Sequence, residues 1–174
     1  MSDMTVADRL DALFRPEIAT WKIPRSKLNL PETEFTGTIL VPRVLEFVKS
    51  LRHRSLVVNG DGFSPPSSLV YANMSFVPDI EILEFGHRLL AIEVKMIRDN
   101  DPTGAFTKSI GQAIVYKSLG FEFAHVVLID CRNFSTQAWN SKSKGVLTLP
   151  IGIGVSVFGG SSGESLQMLY QSKP

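Results

Sequence analysis

Residues 78–95 read PDIEILEFGHRLLAIEVK, which places two acids and a lysine where two neighbouring strands can present them together. Asp79 opens a short apolar run, Phe85-Gly86-His87 signals a turn, and a longer apolar run from Leu89 to Ile97 contains Glu93 and Lys95. Side chains alternate along a strand with period two. Leu90, Ile92, Val94 and Met96 therefore share one apolar face, and Glu93 and Lys95 share the other. Charged groups inside such a strand are costly unless they are paired or bind a cation. Carboxylate oxygens suit a hard cation such as Mg2+, which keeps several waters and is often held by one or two carboxylates plus substrate phosphate. The Lys95 ammonium can orient a water nucleophile or offset charge developing on a phosphate. An acid-x-lysine pair alone is common on exposed strands; Pro78-Asp79 ahead of the turn sets this one apart.

A second group follows on a helix. Lys108, Gln112 and Tyr116 recur at four-residue spacing and line one helix face, with donors suited to phosphate oxygens or to holding the lysine. Ile110, Ala113, Ile114 and Leu119 are expected to bury the other side.

The elements that must position these residues are legible in outline. Val6, Leu10, Leu13 and Phe14 have helical spacing over Thr5 to Phe14, with Pro16 as the expected stop. Residues Ile23 to Phe35, rich in proline, asparagine and charge, read as a surface connection. A second helix is expected from Pro42 to about Leu51, with Val44, Leu45, Val48 and Leu51 inward. Strands are expected at Ser55 to Val58 and Leu69 to Phe76, followed by a hairpin from Ile80 to Ile97, with loops at Asn59 to Gly62 and Ser64 to Ser67. After a break at Asp99 to Gly104, a helix is expected from about Phe106 to Leu119, ending at Gly120. Val126 to Asp130 reads as a buried strand. Ser135 to Gly145 reads as loop. Val146 to Phe158 is β-prone but interrupted by Pro150, Gly152 and Gly154, as at an edge or bulge. Glu164 to Tyr170 has the composition of a short helix. No repeat or second-domain boundary is visible in the 174 residues, so one mixed α/β domain is expected.

Composition narrows the class. Apolar residues make up 44% and charged residues 20%, the proportions of a globular protein with an ordinary core. No apolar run approaches the roughly 18 residues needed to span a membrane, and the first residues lack the basic-then-apolar pattern of a secretory signal. Cys131 is the single cysteine, which excludes an internal disulfide and a cysteine zinc cluster; a reducing cytoplasm is the default expectation. Net charge is only +1, but basic residues cluster at Lys22, Arg25 and Lys27 and again at Arg43, Lys49, Arg52, His53 and Arg54. Such clusters can hold phosphates. His53, His87 and His125 match no metal-ligand spacing, and no serine or cysteine nucleophile signature is present.

Pro78-Asp79, then Glu93-Val94-Lys95, then Gln112 to Tyr116 together resemble the PD-(D/E)xK nuclease superfamily, the last element looking like the QxxxY motif of its RecB-like branch. The resemblance covers about residues 42–130. It implies a restriction endonuclease-like core, a mixed central sheet flanked by helices, built in the order helix, three antiparallel strands, helix, strand. It further implies a Mg2+-dependent deoxyribonuclease, with Mn2+ able to substitute. Asp79, Glu93 and the Val94 carbonyl would hold the metal, and Lys95 would assist the attacking water. Gln112 and Tyr116, with Lys108, would support the site or the DNA backbone. Many members carry a further acid on the helix before the sheet; Glu46 fits that place, or forms a surface pair with Arg43 or Lys49. Glu81, on the strand face of Asp79, is a second contender. The alternatives are a resolvase-type, structure-specific endonuclease and a non-catalytic nucleic-acid-binding module of the same fold. DNA is the expected partner, and a cutter of both strands would need a homodimer or a larger complex.

Overall fold

The computed structural model describes residues 5–60, 64–71, 73–98, 102–132, 149–160 and 163–172. The loop expected at Ser135 to Gly145 lies outside them.

A seven-stranded mixed sheet forms the centre, in the order β1-β9-β8-β7-β6-β5-β2. Its strands are β1 (Ile23–Pro24), β2 (Leu56–Gly60), β5 (Ile80–Glu84), β6 (His87–Ile97), β7 (Phe123–Asp130), β8 (Ile153–Gly159) and β9 (Ser165–Gln171). β6, β7 and β8 run parallel, and the other neighbours are antiparallel. A small separate hairpin, β3 (Leu69–Tyr71) and β4 (Met74–Phe76), lies between β2 and β5 in sequence. Helices α1 (Val6–Thr20), α2 (Glu32–Phe35), α3 (Val41–Ser50) and α4 (Pro102–Ser118) complete the domain. No helix among the described residues is long and apolar enough to cross a membrane.

The alternation along β6 divides the core between the two sheet faces. Leu90, Ile92, Val94 and Met96 pack in one cluster with Phe14 and Ile18 of α1, Phe35 of α2, and Val44 and Phe47 of α3. Ala91 and Ile97 join the other, with Ala113 and Tyr116 of α4 and with Val126 and Leu128. The rings of Phe14 and Phe47 meet at 5.4 Å. Because β6 and β7 are parallel, their connection must cross over, and α4 supplies the crossover.

Several expectations are corrected by tertiary context. α1 does not stop at Pro16 but runs to Thr20. Proline deprives the carbonyl four residues back of its donor, and that residue, Ala12, is exposed, so water can serve it. Thr5 caps the helix in a box with Asp8. Residues 23–35 are not a plain connection: they hold β1, a 3-10 turn at Arg25–Lys27, and α2. A π-helical turn at Thr36–Leu40 joins α2 to α3. There Val41 donates to the Thr36 carbonyl one residue before Pro42, which has no N–H to continue the ordinary ladder. α4 begins at Pro102, earlier than Phe106, with proline in its accustomed first position.

The C-terminal segment is strand β9, not a helix. Its pairing with β8 and β1 outweighs the helical leaning of Leu166, Gln167 and Met168. β8 is an interior strand, not an edge, although its ladder with β9 is bulged between Val157 and Phe158. Gly154 serves this interior position: a Cβ there would come within 2.7 Å of His125 Cε1. His125 is wholly buried, 3.0 Å from Ser156 Oγ and edge-on to Phe14. Burial, with the nearby Arg15 charge, pushes its pKa down to about 3, so it is a neutral core residue. Arg15 Nη1 donates to both the carbonyl and the hydroxyl of Ser172 at 3.3 Å, and Gln171 Nε2 returns a bond to the Arg15 carbonyl at 2.8 Å.

The β5–β6 turn departs from ordinary turn chemistry. Phe85 adopts φ +47° ahead of Gly86 at +83°. Left-handed backbone costs a non-glycine residue about 1–2 kcal/mol, and the Phe85 ring gains no burial in exchange, being 83% exposed.

Candidate active site

The last paired residues of β5 and β6 at this end are Ile80 and Ile92, so β6 continues to Ile97 with no strand beside it on the β5 side. Backbone groups on that open edge need other partners. Asp79, one step beyond the last pair and therefore opposite Glu93, accepts a bond from the Val94 N–H through Oδ2 at 2.6 Å. Glu32, first residue of α2, accepts from the Met96 N–H through Oε2 at 2.7 Å. Its other oxygen, Oε1, pairs with the Lys95 ammonium. A strand residue points its N–H and C=O to the same side, so the Val94 carbonyl opens onto the edge that Asp79 occupies.

Glu93 is 3% exposed on the opposite strand face from Val94. Its Oε2 lies 2.8 Å from the Tyr116 hydroxyl, which also lies 3.0 Å from the Val77 carbonyl. Burial first, and then the Asp79 charge, raise the Glu93 pKa to about 8. The Tyr116 phenol is raised as well, by burial and by Glu93. One phenolic proton cannot fully serve two acceptors. With Glu93 protonated, the carboxyl donates to Tyr116 and Tyr116 donates to Val77; with Glu93 ionised, the phenolic proton turns to the carboxylate. Burial works against the charged form of Lys95, but bonding to Glu32 and the charges of Glu32, Glu93 and Asp79 outweigh it and raise its pKa, so it is an ammonium.

The helix residues fall differently from expectation. Tyr116 is fully buried against Phe121, whereas Ile114, assigned to the core side, is 43% exposed. Gln112 is half-buried one turn before Tyr116, near enough to favour its ionised oxygen, and its own Oε1 is buried without a hydrogen-bond partner. Lys108 is exposed. The inward stripe of α4 thus includes Ser109, Ala113 and Tyr116, with the tyrosine ring serving as core and its hydroxyl serving the site.

Of the two further acids, Glu46 is exposed on α3 and Glu81 is wholly buried. Glu81 Oε1 accepts from Asn59 Nδ2 at 2.8 Å and from the Ser67 N–H and hydroxyl at 2.9 Å, latching the segment before β3 onto the sheet. The acid brought to the lysine is Glu32, which sequence reasoning placed in a surface connection. Its only local signal was Pro31-Glu32, a proline followed by an acid at a helix start. Among the described residues, no three histidine, cysteine or acidic side chains already stand as a ligating cluster. The carboxylates are instead spent on Val94, Tyr116, Met96 and Lys95. Compared with known protein families and with curated proteins, the chain matches none.

Proposed function

We propose that this protein is a Mg2+-dependent deoxyribonuclease with a restriction endonuclease-like core. The observation that carries the reading is the meeting of Asp79, Glu93, Glu32 and Lys95 along the unpaired edge of β6. The order α3, antiparallel β2-β5-β6, α4 and parallel β7 supports it, being the order that the PD-(D/E)xK resemblance implies.

The residues present fit a hard cation. The half-buried Asp79 stands opposite the buried Glu93, and their like charges oppose ionisation of Glu93; a divalent ion would remove that opposition. Asp79, Glu93 and the Val94 carbonyl would hold Mg2+, or Mn2+ in its place, an all-oxygen set. When bound, the ion supplies polarisation of the scissile phosphate and acidification of a water. Lys95, held as an ammonium by Glu32, orients that water and offsets charge on the phosphate. Tyr116 fixes the Glu93 carboxylate and gives it a donor as it ionises. Hydrolysis adds the water oxygen to phosphorus and breaks one P–O bond, with the leaving oxygen taking up a proton.

The test is incubation with linear, circular, single-stranded and branched DNA, with Mg2+ or Mn2+ and with EDTA. Cleavage by the wild type with metal, absent with EDTA and absent in Asp79→Ala, is the expected result. No metal-dependent cleavage of any of these DNAs would overturn the nuclease reading and leave a binding module of the same fold.

A further inference from the structure

The other end of the β5–β6 hairpin, about 20 Å from Asp79 at the ordinary strand rise, carries a surface that the carboxylate site does not use. At its tip Phe85 holds a left-handed backbone and exposes 83% of its surface. Glu84, beside it, accepts from Ser55 Oγ at 3.0 Å and lies 3.5 Å from His53 Nε2. Ser55 Oγ is also 2.8 Å from His53 Nδ1. These bonds clamp the turn after α3 against the hairpin; the register Leu56↔Glu84 brings the chain just before β2 alongside the Phe85-Gly86 turn, and Arg52 and Arg54 in that stretch are both exposed. Arg52 too has a left-handed backbone, φ +53°. His53 also lines a shallow, largely apolar depression with Leu10 and Leu13 of α1, where Arg9 adds a further cation. The acid in this group, Glu84, is turned toward His53 and Ser55.

A bulky residue kept in a strained turn without burial points to a role outside the fold. Phenylalanine offers only a flat apolar face, and guanidinium groups match phosphate oxygens. A base and its phosphate present both features in each repeat of a nucleic-acid strand. A ring can stack only on a base whose face is open, which selects unpaired strands over duplex. We propose that Phe85, Arg52 and Arg54 form a binding surface for single-stranded DNA, with Phe85 stacking on a base and the arginines on flanking phosphates. The inference takes its choice of partner from the nuclease reading, but it needs neither metal nor cleavage.

The test is fluorescence anisotropy with a short labelled oligothymidine in EDTA, across a salt series. Phe85→Asn should weaken binding by about tenfold, within the stacking range. It should also leave melting unchanged or higher, because asparagine tolerates the left-handed turn. Replacing Arg52 and Arg54 together by alanine should lower the slope of log affinity against log salt by about 1.4, the loss of two phosphate contacts on a single strand. A blunt duplex should bind more weakly than the oligothymidine. Equal binding by the wild type and both variants would overturn the inference. So would Phe85-dependent binding to phosphatidylserine vesicles in place of the oligonucleotide. A protein that binds through Phe85 yet cuts nothing with Mn2+ keeps this surface and loses the nuclease reading.

Discussion

Glu32 joins two functions at Lys95: one oxygen pairs with the ammonium while the other accepts the N–H of the next residue, Met96. The contact fixes both where the lysine stands and that it stays charged. Glu32→Ala strips the partner from a half-buried N–H and from a lysine that is only 24% exposed. A loss of about 1–3 kcal/mol is expected, the range for an acceptor removed from buried donors. Lys95→Ala should be milder for folding, because it removes a charge without opening apolar core, yet it should reduce cleavage by orders of magnitude. Melts and cleavage rates on the two proteins check both statements. A Lys95→Ala enzyme cutting at the wild-type rate refutes the assigned role.

Metal binding should depend on the facing pair. Mn2+ or Mg2+ at about a hundredfold above its dissociation constant should stabilise the wild type by about 2.7 kcal/mol. The doubly substituted Asp79→Ala, Glu93→Ala protein should gain nothing. Ca2+ should bind without supporting cleavage. Calorimetry giving equal Mn2+ affinity for the two proteins excludes the site.

Glu93 gives a pH signature whose sign follows from its raised pKa. Below the unfolded value near 4.5, the carboxyl is protonated in both states and imposes no penalty. As pH rises from there toward about 8, the unfolded chain ionises while the folded one keeps its proton, so stability falls across that window. Glu93→Gln should therefore match the wild type near pH 4 and be the more stable protein near pH 8. A divalent ion should shrink that difference. Denaturant melts at the two pH values, with and without Mn2+, decide it; no change in the gap between them would contradict the burial argument.

On α4, Ile114→Ala should cost less than about 1 kcal/mol, because the side chain is 43% exposed. Tyr116→Phe keeps the buried ring but removes the hydroxyl between Glu93 and Val77. A loss of about 1–3 kcal/mol is expected, together with a shift in the pH at which the Glu93 penalty appears. Urea melts of both variants test this. An Ile114→Ala protein more damaged than Tyr116→Phe would mean that the helix presents its other face.

The hairpin and its acids were legible because Glu93 and Lys95 alternate with Ile92, Val94 and Met96, which leaves the charged pair little choice of face. α4 was legible as a helix, but its orientation was not. A buried tyrosine looks polar in a pattern, and an exposed isoleucine looks like core. Glu32 escaped because α2 is only four residues long, while its meaning depends on partners 63 and 64 residues away. β9 was misread because Leu, Gln and Met favour a helix when nothing beside them competes, and β8 competes for them here. Gly154 of β8 looked like an interruption until His125, packed where its Cβ would stand, supplied the reason.

The bonds between Arg15 and residues 171 and 172 join α1 to β9 across 156 and 157 residues of chain. The two elements should open together in hydrogen exchange, not fray separately.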